Sequence, residues 1–232
     1  GGHLNELGAF YIDCEYASVT SMGYRFVALA GPWASLITGV IGMYFFDHTN
    51  KTKNQLKYFL WHFGTVNLMI ATGYFLFSGV MGIGDFGMDQ YGVFYQAQPE
   101  WLYRVALTLL GLASYFGVVL FCLRKMDSFI GGEGIERVNR AQMLSLTSYL
   151  TGGIVAVLIG FLNPHGIIIV LISSVASCLG GTSGLAWMMQ MLNRKKITGD
   201  EPFVLERSWG WIGASLAFLL LYAIIFGPTI YL

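Results

Sequence analysis

The sequence predicts an all-α integral membrane protein with about six transmembrane helices and a short N-terminal extramembrane hairpin or extended segment. Three observations predict this fold class. Of the 232 residues, 55% are hydrophobic and only 11% are charged, whereas a soluble domain carries about 25% charged residues. Six apolar stretches alternate with short polar loops. Nearly all Lys and Arg residues lie in alternate loops.

The apolar stretches are long enough to cross a bilayer, because a helix needs about 20 apolar residues to span a hydrocarbon core of about 30 Å. They are continuously apolar rather than alternating, which favours helices over the strands of a barrel. We predict one polytopic membrane domain over 24–232, preceded by an interfacial segment, 1–23. The predicted spans are 24–46, 56–80, 101–123, 145–162, 166–192 and 209–232.

Two features of the loops predict how these spans are arranged. The turn at 163–166 leaves almost no loop between the fourth and fifth spans, which predicts a tight antiparallel hairpin. Eleven of the thirteen Lys and Arg residues lie in or at the edges of three loops, 47–57, 124–144 and 193–208. Basic loops stay on the cytoplasmic side, here of a bacterial-type membrane. The N-terminal segment, the loop after the second span and the C-terminus are therefore predicted to lie outside.

Composition also limits the partners and cofactors. A formal net charge of zero argues against nucleic acid. The predicted partners are the lipid bilayer and other transmembrane helices or subunits. Small residues repeat every four positions at Gly31, Ser35 and Gly39, which favours close packing of helix backbones. The three Cys residues lack Cys-x-x-Cys spacing, so they form neither a disulfide framework nor a metal knuckle.

The segment 79–89, at the outer end of the second span, is a candidate functional site. It combines several Gly residues with Asp85, which indicates an irregular backbone that carries a carboxylate at or just inside the membrane interface. An ionisable group at that depth is costly and is a functional candidate by default. The alternative is that Asp85 lies among the lipid headgroups, where it caps a loop or pairs with Arg104.

A series of residues in the first part of the chain points to a family. Gly31 to Ser35 read GPWAS in the first span, Asn67 lies in the second, and Asp85 ends that span. This order resembles the site-2-protease-like family of intramembrane zinc metalloproteases, over roughly the first 90 residues. In that family, two His of an HExxH helix and one Asp bind zinc, and the Glu is the general base. The resemblance implies that Asp85 is the third zinc ligand and that Gly31 and Pro32 form a packing motif.

The chain departs from the family pattern in several ways. It contains no HExxH, Ser35 stands where the family has Asn, and Asp85 is followed by Phe86 rather than Gly. The charge rule also places Asp85 outside, whereas family sites usually open to the cytoplasm. Three explanations remain: an HExxH helix precedes Gly1, the protein is a non-catalytic descendant, or the likeness is accidental. Zinc is expected only under the first, and no catalytic residue is assigned.

The four His residues offer two further hypotheses. His3 lies in the outer segment, where it is a second candidate metal ligand beside Asp85, together with His165, Glu6 or Asp13. His62 lies in the second span, where a single His can ligate a chlorophyll or a haem. The alternative for His62 is a polar residue that hydrogen-bonds to a neighbouring helix. Ion transport lacks its usual carriers, since the spans contain no buried pair of charges.

Two functions therefore remain open. The first is a metalloprotease-like pseudoenzyme, truncated or degenerate, in which Asp85 is the remaining recognisable ligand. The second is a non-enzymatic structural or accessory subunit of a larger membrane complex, of an energy-converting or pigment-binding kind. The missing His pair favours the second function, and the order of the motifs favours the first.

Overall fold

The computed structural model describes residues 3–15, 21–50, 53–90, 92–164, 166, 170–192 and 206–232. The chain divides into two compact units. The helical unit comprises 21–149 and 181–205, and the sheet unit comprises 1–20, 150–180 and 206–232.

Five helices in the described part of the chain are long and apolar enough to cross a membrane. These helices are compatible with an integral membrane protein. Each of the first four has 27 or 28 residues, and the last has 18. They are α1 (Ser21–His48), α2 (Asn54–Met81), α3 (Glu100–Asp127), α4 (Gly134–Gly160) and α6 (Trp209–Phe226).

The predicted fifth span, 166–192, has a different local structure. Its described residues form a π-helix at Val170–Gly180, a short helix α5 at Gly184–Trp187 and a 3-10 turn at Met188–Met191. Three Gly residues lie within the five positions 180–184, where the π-helix ends and α5 begins, and Gly is a poor helix former. Residues 167–169 lie outside the described part, so the six-span count stays a prediction.

Helix α4 begins eleven residues before the predicted start of the fourth span, 145–162. Arg137 and Arg140 therefore lie on its first turns and not in a loop. The Arg137 side chain is fully buried, where it forms an ion pair with Asp127 and donates to the Gly131 carbonyl oxygen at 3.2 Å. A hydropathy pattern misses this start because the helix opens with polar residues whose partners come from the preceding loop.

The sheet unit joins the two ends of the chain. Strand β1 (His3–Leu7) pairs antiparallel with β2 (Ile12–Glu15) on one side and with β3 (Ile230–Tyr231) on the other. Helix α6 thus ends at Phe226, six residues before the end of the predicted span 209–232. The cause is Pro228, which has no backbone N–H with which to continue the helical hydrogen bonds.

The core of the helical unit draws on α1, α2, α3 and the first half of α4. Trp61 of α2 is fully buried, and its indole N–H donates to the Cys122 carbonyl oxygen of α3 at 3.0 Å. Buried side chains surround this contact, among them Phe46, Met69, Val119, Met126 and Leu144.

Helices α2 and α3 approach each other backbone to backbone. A Cβ atom built on Gly111 would lie 2.5 Å from the backbone nitrogen of Leu76, and one built on Gly79 would lie 2.6 Å from that of Thr108. Real Cβ atoms do not approach backbone so closely, hence both positions require glycine. Such small-residue contacts are a main source of helix affinity in lipid.

We predict that Gly111→Ala destabilises the folded protein, whereas Gly117→Ala on the same helix does not. A methyl group at 111 would push α2 and α3 apart, which costs on the order of 1–3 kcal/mol. A methyl group at 117 meets nothing within 4 Å, and Ala is the better helix former. Unfolding of both purified variants in detergent measures the difference. Equal unfolding midpoints would contradict the close approach of α2 and α3.

Candidate functional site

The loop that carries Asp85 begins where α2 ends. Gly82 takes a left-handed conformation, with φ of 78°, and its N–H donates to the Ser78 carbonyl oxygen at 2.8 Å. The chain then turns back on itself. The hydroxyl oxygen of buried Ser78 accepts the Phe86 N–H at 3.3 Å, and the Asp85 carbonyl oxygen accepts the Val93 N–H at 2.9 Å. These bonds give the Gly-rich segment a folded backbone of its own.

The half-buried Asp85 carboxylate lies beside α1 and α2. A Cβ atom built on Gly31 of α1 would lie 3.6 Å from Asp85 Oδ2 and 4.0 Å from the hydroxyl oxygen of Tyr74 on α2. Both distances are ordinary van der Waals separations, so the carboxylate and the phenol lie against α1 at Gly31. Two positions that the family resemblance singles out, Gly31 and Asp85, are neighbours in space.

The electrostatic surroundings of Asp85 favour its neutral form. Burial raises the pKa of its carboxyl, with a smaller contribution from the nearby negative charge of Asp89, and the two together bring this pKa to about 6. No described residue donates a side-chain hydrogen bond that would offset the loss of water. In the same part of the chain, Asp89 Oδ1 is buried and has no hydrogen-bond partner among the described residues. Asp85 can therefore gain or lose a proton near neutral pH.

Arg104 does not pair with Asp85. Its guanidinium group donates to the carbonyl oxygens of Gly79 at 3.3 Å and Val80 at 2.6 Å, and it lies 3.6 Å from the Glu100 carboxylate. The last carbonyls of a helix have no partner within the helix and carry partial negative charge. Arg104 thus caps the end of α2, and no cation of the described residues pairs with the Asp85 carboxylate.

The remaining residues of the resemblance lie farther along α1 and α2. Pro32 and Ser35 are part of α1. Asn67 of α2 accepts a hydrogen bond at 3.0 Å from the hydroxyl of Thr38 on α1, and its amide donates to the Phe63 carbonyl oxygen at 2.9 Å. Asn67 therefore links the two helices whose ends enclose Asp85.

The His residues do not form a cluster in the described part of the chain. His3 lies in β1 of the sheet unit, His165 lies outside the described residues, and His48 contacts the Tyr44 carbonyl oxygen at 2.8 Å. The ring nitrogen Nδ1 of His62 is buried with no hydrogen-bond partner among the described residues.

Metal binding has no complete site here. Among the described residues, no group of three or more His, Cys, Asp or Glu side chains could hold a metal ion. Asp85 and Asp89 supply only carboxylates, and zinc sites of the implied family need two His as well. These residues therefore do not fit a resident zinc ion by themselves.

Tyr74 was not predicted as part of this site, and Asp89 lies in the predicted segment 79–89 but was not predicted as a second carboxylate of the site. Both are conspicuous only in retrospect, since Tyr74 is a polar aromatic residue within an apolar helix and Asp89 follows Asp85 by four positions. Their positions beside Asp85 depend on how the loop folds back over the end of α2, and no local sequence pattern predicts that fold.

Comparison with known proteins adds no relative. No family model, no curated protein and no solved structure matches the chain.

We predict that Asp85 makes the protein more stable at mildly acidic pH. Its pKa is about 6 in the folded state against an ordinary value of 3.8, so the folded state disfavours the charged form. Stability should rise as pH falls from 7.5 through 6 and should level off below about 4. The gain is on the order of 2 kcal/mol.

The measurement is unfolding in detergent between pH 4 and 8, taken as the difference between wild type and Asp85→Asn. Asp89→Asn is the matched variant. It should lower the pH at which Asp85 affects stability, because one cause of the raised pKa of Asp85 is gone. Parallel pH curves for wild type and Asp85→Asn would show that the carboxylate is not buried as described.

Proposed function

We propose that the protein is an integral membrane protein with a site-2-protease-like scaffold, in which Asp85 is the functional carboxylate. One observation carries the proposal. Asp85 Oδ2 lies 3.6 Å from the Cβ position of Gly31, so the Gly-Pro motif of α1 and the carboxylate that ends α2 share one site. The resemblance pairs these two positions although more than fifty residues separate them.

Within this scaffold, the residues at hand support peptide binding rather than cleavage. The family draws its two His ligands and its general base from an HExxH helix, and the sequence 1–232 has no such motif. A half-buried carboxylate that pairs with no cation among the described residues can accept a hydrogen bond from a backbone N–H. An unwound segment of a transmembrane peptide beside α1 and the 82–90 loop would supply such donors. We therefore propose that Asp85 holds a transmembrane peptide by its backbone.

Peptide binding tests this proposal. A labelled transmembrane peptide should bind Asp85→Asn about tenfold more weakly than wild type, because the hydrogen bond then goes to a neutral amide oxygen instead of a charged carboxylate. The assay is run at pH 8, where the Asp85 carboxylate is ionised. Asp89→Asn is the control and should bind within about twofold of wild type. Equal affinities of wild type and Asp85→Asn would remove Asp85 from the function.

Zinc content of the protein purified from its native membranes separates cleavage from binding. About one zinc per chain, lost in Asp85→Asn and kept in Asp89→Asn, would mean that His ligands from outside the sequence 1–232 complete the site. Such a result would replace the binding role with peptidase activity. Zinc-free protein that still binds the peptide would agree with the proposal.

A second candidate function rests on α6. None of its 18 residues is buried, and Trp209 and Phe218 are 72% and 70% exposed. A helix that is apolar on all sides can pack against helices of another subunit, as an accessory subunit of a membrane complex requires. Purification in mild detergent tests this function. Stoichiometric partner proteins would favour it, and a lone chain would count against it.

A further inference from the structure

A cleft of about 730 Å³ opens between the end of α2 and the first turns of α3. It lies at the predicted outer surface of the membrane. Asp85 is not among the residues that line it. Its lining combines charged, polar and apolar side chains, chiefly Gln98, Glu100, Trp101, Arg104, Val105 and Leu109.

The lower part of the cleft is apolar and faces outward. Trp101, Val105 and Leu109 follow one another at four-residue spacing on α3, and they are 65%, 48% and 62% exposed. Eight residues of helix span about 12 Å, close to the hydrocarbon thickness of one leaflet, about 15 Å. This stripe has the length and chemistry to lie against an acyl chain.

The upper part of the cleft carries both signs of charge. The Glu100 carboxylate and the Arg104 guanidinium lie 3.6 Å apart, with side chains 52% and 38% exposed. Arg104 donates to the carbonyl oxygens of Gly79 and Val80, and a guanidinium group has five N–H donors. Arg104 therefore keeps donors for an anion, while Glu100 beside it suits a cation.

We propose that this cleft binds one zwitterionic phospholipid. Arg104 binds its phosphate, Glu100 binds its headgroup ammonium, and one acyl chain lies along Trp101, Val105 and Leu109. The indole of Trp101 adds an aromatic face for the ammonium and is suited to the membrane interface. An anionic lipid fits less well, because its headgroup would bring no cation to Glu100.

The test is a lipid competition. The full chain is reconstituted in nanodiscs of equimolar phosphatidylcholine and phosphatidylglycerol and then extracted with mild detergent. Native mass spectrometry counts the lipids that stay bound. Wild type should retain about one phosphatidylcholine per chain, at least about threefold over phosphatidylglycerol, the selectivity expected from one exposed charge contact.

Two variants and a matched control keep the test specific. Glu100→Gln should abolish the preference for phosphatidylcholine, and Leu109→Trp should reduce retention of both lipids by filling the apolar part of the cleft. Glu136→Gln is the control, since it removes the same kind of ion pair, with Arg140 four residues on, at the other end of the bundle. It should behave as wild type. Unfolding in detergent verifies that each variant is folded.

Three results would overturn the proposal. They are equal retention of the two lipids by wild type, a preference for phosphatidylglycerol, and the same behaviour of Glu100→Gln and Glu136→Gln. A preference for phosphatidylglycerol would mean that Arg104 selects an anionic headgroup without help from Glu100.

Discussion

The close approach of α2 and α3 is the contact on which the end of the helical unit that carries Asp85 depends. Glycine at 79 and 111 lets the two backbones meet without side chains between them. Arg104, one turn before Thr108 on α3, is thereby brought to the last carbonyls of α2. Backbone groups in lipid must find partners within the protein, so this cap allows α2 to end there. The same approach opens the cleft beside α3.

The end of α2 in turn determines the surroundings of Asp85. Arg104 is directed at the carbonyls and at Glu100 rather than at Asp85, so no cation of the described residues stabilises the charge of the carboxylate in the following loop. It lies instead beside Gly31 and Tyr74, where burial and the charge of Asp89 raise its pKa to about 6. The pKa of Asp85 is therefore set by its several neighbours together and not by any one contact.

The long helices were readable from the sequence because their apolar runs exceed what a soluble surface tolerates. Helices α1, α2 and α3 include the predicted spans and extend them by up to four residues at each end. The pattern failed at polar helix turns and at glycine-rich stretches. Buried Arg137 starts α4 early through partners in the preceding loop, and 180–184 interrupts the fifth apolar stretch with small residues. Local hydropathy carries no information about such partners.

The sequence by itself determined the long apolar helices and the candidacy of Asp85, since these depend on composition and on the cost of a charge near lipid. Only the tertiary structure decided which groups meet. In it Arg104 contacts the end of α2 and Glu100 rather than Asp85, and Tyr74 lies near the Asp85 carboxylate. The reason is that such pairings depend on helix separations of a few ångströms, and residue spacing along one helix does not specify the distance to another.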